Sequence, residues 1–245
     1  MFRDEEEFDP EGPVAVVIPA WNEEPTIGGV VAGLPRQNLR AIVVANNGST
    51  DGTVLAAEAA GATVVDESRR GYGQACLAGL DWCAEQCPPF RVIAFVDGDG
   101  SDLPEELATL VDPILEGKAD LVIGSRTRGE RESGALLPQA RIGNWIASAW
   151  IRIVTGVVFT DLGPFRAIST AALDRIGMAD TNYGWTVEMQ LKAARAGLRC
   201  LEVPVRYRRR RGGQSKVTGT IRGTFGASVK ILWSLAKYSF WKPRS

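Results

Sequence analysis

Short apolar runs alternate with helical segments along the first half of the chain. Each run is rich in valine, isoleucine and alanine and ends in glycine, asparagine or aspartate, which is typical of strands buried on both faces. The predicted strands cover residues 14–18, 41–45, 63–65, 92–96 and 120–124. Strands that alternate with helices at this spacing predict an α/β fold, a three-layer sandwich around a mostly parallel central sheet.

The second half of the chain changes character. Apolar residues at helical spacing predict one helix that ends at about residue 155 and two more at 183–196 and 218–241. Residues 200–207 are a strand candidate. Neither internal repeats nor a linker divides the chain. We therefore expect an acidic tail at 1–12, one large domain at 13–217 and an amphipathic C-terminal helix within 218–245.

Three aspartates follow the fourth predicted strand, separated by glycine and serine. Asp97, Asp99 and Asp102 stand where the carboxyl end of a strand in an open α/β sheet faces a ligand. Two such charges 4 Å apart repel by about 4 kcal/mol at a surface-like dielectric, and a divalent cation makes them compatible. Oxygen ligands of this kind suit Mg²⁺ or Mn²⁺. In the alternative, structural interpretation, the aspartates hydrate a turn and Asp102 caps the helix that begins near Pro104.

The composition narrows the chemistry. The chain has 245 residues, 45% of them hydrophobic, a formal net charge of −1 and no histidine. The near-zero charge predicts no binding to nucleic acid. The lack of histidine excludes a Ser-His-Asp triad, a His-ligated zinc site and an imidazole base.

The cysteines and the chain ends predict a cytoplasmic location. Cys76, Cys83 and Cys87 fit one helix face at a spacing of seven and four residues, which favours buried free thiols over a metal site. Reduced thiols indicate the cytoplasm. The acidic N-terminus does not have the pattern of a signal peptide, and every long apolar stretch is interrupted by arginine or lysine before it reaches the length of a membrane span.

Six short motifs follow one another through the chain. They are VIPAWNEE at 17–24, NGSTDGT at 47–53, DGD at 97–99, IGSR at 123–126, FRA at 165–167 and QSK at 214–216. This ordered set spans most of the chain and resembles the family 2 glycosyltransferases, in particular the branch that contains the dolichyl- and polyprenyl-phosphate sugar synthases. The resemblance implies a GT-A fold over 13–217, an inverting mechanism, a nucleotide-sugar donor, and Mg²⁺ or Mn²⁺ as cofactor.

The resemblance also implies roles for individual residues. Asp97 would lie near the ribose and the metal, Asp99 would bind the metal, and Gly71 and Gly73 would let the backbone approach the nucleotide. The donor-binding positions are Pro19, Ala20, Asn22, Glu23, Asn46, Gly71, Gly73, Asp97, Gly98 and Lys216. Two departures leave the base and a third metal ligand open: Asn46 replaces an aspartate that often faces the base, and Ser101 replaces a glutamine.

The transfer chemistry suggests further candidates. The metal on Asp99, with Lys216 and Arg208, would stabilise the charge that grows on a leaving diphosphate. Glu188 is the candidate general base for a hydroxyl acceptor. A phosphate acceptor needs no base, and Arg126 and Arg166 would then hold it by charge-assisted hydrogen bonds.

Each of these roles has a simpler alternative, because Glu188 also fits a surface helix position and Arg208 a solvated strand end. A fragment of a dinucleotide motif at 71–73 lacks its third glycine and indicates no dehydrogenase.

The expected function is the transfer of a hexose, from a donor of the UDP-glucose type, to a polyprenyl phosphate or another membrane-associated acceptor. The alternatives are transfer to a small soluble hydroxyl acceptor, a sugar nucleotidyltransferase, and a non-catalytic nucleotide-sugar-binding subunit. The apolar stripe and lysines of the last helix fit core packing, a homodimer contact or a peripheral membrane contact. The last of these would place the protein at the inner face of the cytoplasmic membrane.

Overall fold

The computed structural model describes residues 13–212 and 221–243, with side chains from residue 230 onward in the second range. Within these ranges the strands are β1 (Val14–Ala20), β2 (Leu39–Asn46), β3 (Thr63–Asp66), β4 (Val92–Phe95), β5 (Leu121–Ser125), β6 (Arg166–Ser169) and β7 (Cys200–Pro204). The helices are α1 (Glu24–Gly33), α2 (Thr53–Ala59), α3 (Tyr72–Ala84), α4 (Leu107–Leu115), α5 (Pro138–Thr155), α6 (Thr170–Ile176), α7 (Trp185–Arg195) and α8 (Ile221–Ser239). The acidic tail and Lys216 lie outside the described residues.

The strands form one sheet in the order β3-β2-β1-β4-β6-β5-β7. All pairings are parallel except those of β6, which runs antiparallel between β4 and β5. The mostly parallel sheet predicted from the sequence is therefore confirmed. A short strand that ends near residue 168 was expected from the sequence, but its antiparallel direction was not.

Alternating side chains of β1 build the two halves of the core. Val14, Val16 and Ile18 pack against α1, α2 and α4 on one face of the sheet. Ala15 and Val17 pack on the other face, where α3, α5, α6, α7 and α8 contribute buried residues. A strand that is buried on both faces reads as a continuous apolar run, which explains why the run at 14–18 was recognisable.

The order of the strands creates a crevice between the carboxyl ends of β1 and β4. From β1 the chain continues to β2 and β3 on one side of the sheet, and then crosses to β4 on the other side. The loops after β1 and β4 therefore diverge at this point, where open α/β sheets bind ligands. The Asp97–Asp99 loop follows β4 at this edge.

Two local predictions need correction. Asp102 does not cap a helix: a short 3-10 turn (Pro104–Glu106) precedes α4, and the residue before it is Leu103, without a side-chain cap. Cys76 and Cys83 are buried in α3 as free thiols, but Cys87 lies beyond the end of α3 and is exposed. The three cysteines therefore do not share one buried helix face. No helix in the described parts of the chain is long and apolar enough to cross a membrane.

Candidate active site

The crevice at the ends of β1 and β4 opens into a cleft of about 350 Å³. Seven of the residues predicted from the resemblance line it: Pro19, Ala20, Glu23, Gly71, Asp97, Gly98 and Asp99. Four further lining residues, which the sequence analysis did not assign, enclose the same space: Trp21, Tyr72, Tyr183 and Arg210. The cleft therefore brings together most of the predicted donor site, and aromatic side chains complete its walls.

Buried negative charge collects at one end of the cleft. The Tyr72 hydroxyl donates to Asp97 Oδ1 over 2.9 Å, and Ser101 N donates to Asp99 Oδ1 over 2.8 Å. Burial, and then the charge of Asp99, raise the pKa of Asp97 to about 7. Burial, followed by the charges of Asp97 and Asp99, raises the pKa of Asp102 well above its usual range. Neither carboxylate oxygen of Asp102 has a hydrogen-bond partner among the described residues.

This charge cluster fits a divalent cation that also binds substrate. Among the described residues, no group of three or more histidine, cysteine, aspartate or glutamate side chains forms a protein-only metal cage. Mg²⁺ commonly uses one or two carboxylates together with substrate phosphates. Asp97 and Asp99 supply such a pair, and Asp102 adds a third buried carboxyl group close enough to interact with both. The donor set therefore fits Mg²⁺ or Mn²⁺ held jointly with a diphosphate.

An arginine from the far end of the chain reaches these acids. Arg210 Nη2 lies 2.9 Å from Asp99 Oδ2, and its Nη1 lies 2.9 Å from Glu23 Oε1. The segment that carries Arg210 is fixed to the acidic loop through the backbone, because Arg208 N donates to Ser101 O over 3.0 Å. Arg208 Nε donates to Gly100 O over 2.7 Å. The arginine run was noted in the sequence, but ion pairs between residues 111 and 187 positions apart have no local signal.

The opposite wall of the cleft carries a stacked pair. The Arg70 guanidinium lies 4.3 Å from the centre of the Trp21 ring, and Arg70 Nη1 donates to Asn47 O over 2.6 Å. Asn47 also accepts from Gly71 N through its side-chain oxygen, over 2.9 Å. Asn46 is not in this wall: it donates to Asp66 Oδ1 over 2.7 Å and accepts from Ser49 N. The asparagine that lines the cleft is therefore Asn47, one residue after the predicted position.

Asn22 links the loops that follow β1 and β2. Its backbone has a φ of 54°, in the left-handed region that asparagine tolerates. Its backbone N donates to Ser49 Oγ over 2.9 Å, and its Oδ1 accepts from Thr50 N over 2.8 Å. The geometry thus gives Asn22 a positioning role beside the cleft, where it fixes two loops to each other.

Gly71 and Gly73 are needed for a reason other than the expected one. A Cβ on either glycine would overlap a backbone oxygen, that of Thr181 for Gly71 and that of Asp180 for Gly73. Gln74 N donates to Thr181 O over 2.9 Å and holds the two segments together. The missing side chains therefore admit the loop at 179–184, which carries Tyr183 into the cleft wall.

Glu188 lies beneath that same loop and is fully buried. It accepts from Ala179 N and Asp180 N, with Oε2 2.6 Å from the latter, and forms a 2.7 Å ion pair with Lys192. It does not line the cleft. The general-base role remains a prediction that this placement does not support, whereas a role in positioning the loop follows directly from its contacts.

Arg166 and Arg126, both candidates for binding the acceptor, differ in placement. Arg166 is fully buried and donates to backbone oxygens of Leu162, Gly163 and Thr186. Burial lowers its pKa to about 10. Since its donors are engaged inside the protein, its predicted contact with a phosphate has no support in this geometry. Arg126 instead pairs with Asp161 at 2.7 Å and lies 5.1 Å from the Tyr207 ring, whose backbone bridges to Asp102.

A second and larger groove runs along α5. It encloses about 1150 Å³, and its walls combine apolar side chains of α5 with arginines. Thr127, next to Arg126, lines one end of it. The Arg126–Tyr207–Asp102 contacts therefore connect the neighbour of a groove residue, Thr127, with the loop that carries Asp99.

Comparison with known proteins agrees with this architecture. The family described as glycosyl transferase family 2 matches residues 15–233. The chain belongs to this family. It is 38% identical over 230 residues to the uncharacterized glycosyltransferase Rv0539 of Mycobacterium tuberculosis, with 94% of this chain and 96% of the relative covered. It is 31% identical over 237 residues to the undecaprenyl-phosphate mannosyltransferase of Micrococcus luteus, with 91% and 94% covered.

A solved structure shows the same fold. Glucosyl-3-phosphoglycerate synthase of Mycobacterium tuberculosis, in complex with Mn²⁺, UDP-glucose and phosphoglyceric acid, superposes with a TM-score of 0.72. The two chains are 25% identical, and the match covers 95% of this chain and 81% of the other. The GT-A fold, membership of the polyprenyl-phosphate sugar synthase branch and assignment as a glycosyltransferase, all expected from the motifs, are thereby confirmed.

Proposed function

We propose that this glycosyltransferase moves a hexosyl group from a nucleotide sugar to polyprenyl phosphate, with Mg²⁺ or Mn²⁺ and with inversion at the anomeric carbon. The observation that carries the proposal is the excess of carboxylate charge at the acidic end of the cleft, where Asp97 and Asp99 lie beside a space of about 350 Å³. A diphosphate joined to a divalent cation matches both the charge and the donor atoms of this end.

The geometry suggests how the donor would lie. The nucleoside would occupy the wall formed by Trp21, Arg70 and Asn47, and the diphosphate would reach toward Asp97 and Asp99. When bound, the cation would supply positive charge to the leaving diphosphate. Tyr72 keeps Asp97 oriented through its 2.9 Å hydrogen bond. Fixed groups of this kind lower the barrier because they need no reorganisation as charge develops.

A phosphate acceptor agrees with the placement of Glu188 outside the described cleft wall. A phosphate is already an anion, so its oxygen can attack the anomeric carbon in one displacement, from the face opposite the leaving group. Glu188, the carboxylate predicted as a base, is engaged with the 179–184 loop and with Lys192. Arg126 is the neighbour of Thr127, which lines the α5 groove, and from there it would help to hold the acceptor phosphate.

The surface around α5 supports a membrane-bound acceptor. Among the described side chains, thirteen large hydrophobic residues are exposed, and all except Trp21, Leu55 and Leu201 lie on the segment 137–158 or on the segment 232–240. Trp145 is 70% exposed and Ile153 81%. Trp150 Nε1 donates to Ser239 Oγ over 2.9 Å, which joins α5 and α8 into one apolar face.

The charges around this face suit an anionic bilayer. Arg141 and Arg152 border the α5 groove, and Lys237 lies on α8. Tryptophan and arginine on exposed helices are typical of helices that lie in a membrane interface. The proposed contact therefore includes α5 together with the C-terminal helix, and the polyprenyl chain would lie along the α5 groove.

The donor is proposed as UDP-glucose, with a mannosyl donor as the direct competitor. The solved relative named above binds UDP-glucose and Mn²⁺, whereas the Micrococcus relative is named a mannosyltransferase. The wall of Trp21, Arg70 and Asn47 suits a flat base. None of these three residues is a carboxylate that could select the base. Asn46, which stands where an aspartate often faces the base, donates to Asp66 instead.

Labelled donors and defined acceptors test the proposal. The protein is incubated with UDP-glucose, UDP-galactose or GDP-mannose and with undecaprenyl phosphate in anionic vesicles, with Mn²⁺, Mg²⁺ or EDTA. We expect one donor to give a glycosylated lipid by mass spectrometry, with the opposite anomeric configuration by NMR, and no product in EDTA.

Two outcomes would contradict it. Retention of configuration, or equal turnover in EDTA, would remove the mechanism. Transfer to phosphoglyceric acid or glycerol with no lipid product would favour the alternative of a small soluble acceptor. Asp99→Asn serves as the inactive control.

A further inference from the structure

Arg210 binds the two acids that the proposed function gives to the metal and the donor. Its guanidinium lies 2.9 Å from Asp99 Oδ2 and is held by both oxygens of Glu23, at 2.9 and 3.1 Å. The side chain of Arg210 is 26% exposed, and those of Glu23 and Asp99 are 8% and 11% exposed. These are therefore largely desolvated contacts, in which charge-assisted hydrogen bonds are stronger than on an open surface.

We propose that Arg210 acts as an internal counter-ion, which occupies Asp99 until metal and nucleotide arrive and then transfers to the nucleotide diphosphate. This inference rests on the proposed function, since it takes Asp99 as a metal ligand. It assigns Arg210 a role in coupling the binding of the two ligands, and thereby in keeping the site closed to metal alone.

The reason is electrostatic. The guanidinium contacts Oδ2 of Asp99. This is the oxygen that a metal ion would use, because Oδ1 already accepts from Ser101 N. A dication on Asp99 and a guanidinium in its present position would repel each other at short range. Arg210 must therefore leave Asp99 when the metal binds, and metal binding alone has to break this ion pair.

A diphosphate offers Arg210 a replacement partner in the same cleft. Arg210 lines the cleft together with Asp97, Asp99 and Gly98, where the proposed diphosphate lies. Its backbone segment stays fixed, because Arg208 and Arg211 donate from their N atoms to Ser101 O and Asp99 O. A change of side-chain rotamer therefore suffices, and the planar guanidinium suits a phosphate as well as it suits a carboxylate.

The test measures binding of Mn²⁺ to the full chain by electron paramagnetic resonance of the free ion, with no nucleotide, with UDP or GDP, and with UMP or GMP. Coupling between sites usually amounts to about 5- to 150-fold in affinity. For the unmodified protein we expect Mn²⁺ affinity to rise at least about fivefold with a diphosphate, and less with a monophosphate. For Arg210→Gln we expect Mn²⁺ alone to bind at least about fivefold more tightly than to the unmodified protein, and the added effect of the diphosphate to shrink.

Two further variants keep the test decisive. Arg210→Lys retains the charge but cannot bridge two carboxylates with a planar fork, so its Mn²⁺ affinity should fall between the other two. It replaces Arg210→Gln if near-ultraviolet circular dichroism shows that variant to be unfolded. The matched control is Arg209→Gln, because Arg209 donates to Ser133 O and lies outside the cleft.

The outcomes separate the two proposals. If Arg210→Gln binds Mn²⁺ no more tightly than the unmodified protein, the counter-ion role is wrong while the proposed function stands. If Arg209→Gln tightens Mn²⁺ binding equally, a general loss of positive charge explains the effect and the specific role is wrong. If no variant binds Mn²⁺, even with a diphosphate, both this role and the metal dependence of the proposed function fail.

Discussion

The cleft and the α5–α8 face are built on opposite principles. Around the cleft, the charged side chains of Arg70, Arg126 and Arg210 all have partners within the protein. On the α5–α8 face, large apolar side chains such as Trp145 and Ile153 are exposed over most of their surface. The first region is organised by internal electrostatics, and the second exposes the apolar surface that, in the proposed function, lipid would cover. A transferase that joins a water-soluble donor to a lipid acceptor requires both.

The largest expected effect concerns the support of the cleft. Glu188→Ala should lower the free energy of unfolding by about 3–5 kcal/mol, because it leaves Lys192 buried without its carboxylate and frees the backbone N–H groups of 179–180. Urea denaturation measures this change. The matched control is Glu105→Ala, which removes an exposed ion pair with Arg206 at 3.6 Å and should cost less than about 1 kcal/mol.

Glu188→Gln distinguishes positioning from catalysis. If Glu188 only supports the loop, its isosteric amide should recover part of the activity, and the pH profile of kcat should keep its shape. A stable variant that loses the acidic limb of the profile, where a general base becomes protonated, would instead restore the general-base role predicted from the sequence. The contrast between the cleft and the α5–α8 face would then change, because a catalytic group would lie outside the described cleft wall.

Asp99→Asn should separate function from stability inside the cleft. We expect kcat/KM for transfer to fall by about 10²- to 10³-fold, as happens when a fixed electrostatic group is removed at a reacting centre. The melting temperature should change little, because loss of the Arg210 ion pair is offset by relief of repulsion on Asp97 and Asp102. A transfer assay and thermal denaturation measure the two quantities. A variant that keeps activity would contradict the metal assignment.

The sequence was sufficient for the parts of the molecule that are local. The strand at Val14–Ala20 and the acidic loop after β4 were predictable, because burial on both faces and clustered carboxylates leave a pattern along the chain. The antiparallel β6 was not, since an isolated strand of four residues gives no indication of its direction. The resemblance predicted seven of the residues that line the cleft, whereas the partners of individual side chains came only with the tertiary structure.

Gly71 and Glu188 are two residues whose contact partners could not be predicted from the sequence. Glycine at 71 was expected to let the backbone approach the nucleotide, whereas the group that the structure places against it is the backbone of Thr181. Glu188 was predicted to be a general base or a surface residue of a helix, but it is buried and its partners on the 179–180 segment are set by the packing of α7. In both cases the residue type was informative, and the partner depended on contacts between distant segments.

Substitutions can remove the apolar character of the α5–α8 face without changing any residue of the cleft. The double variant Trp145→Glu, Ile153→Glu should weaken binding to vesicles of anionic phospholipid by about tenfold or more, because two large apolar groups lose their contact with the lipid and two negative charges are added. Co-sedimentation with vesicles measures the change. Transfer to a short-chain, water-soluble polyprenyl phosphate should fall less than transfer to the vesicle-bound acceptor.

Leu55→Glu is the matched control, since Leu55 is 73% exposed on α2, which packs against the other face of the sheet. If Leu55→Glu weakens vesicle binding equally, charge alone explains the result and the face has no special role. If the unmodified protein is a dimer that the double variant dissociates, while vesicle binding is unaffected, the face is a contact between two copies.

The smallest expected effect lies at the nucleoside end of the cleft. Arg70→Lys keeps the charge but loses the planar stack on Trp21 and the donation to Asn47 O, so nucleotide affinity should fall by only about two- to fivefold, in line with about 0.5–1 kcal/mol for an exposed cation–π contact. Titration calorimetry with UDP and GDP measures it. An equal loss for both nucleotides indicates that this wall recognises any flat base, and specificity must then come from the sugar. A loss confined to one nucleotide would make Arg70 a base-selecting residue. The bound base would then complete this wall of the cleft, as lipid is proposed to cover the α5–α8 face.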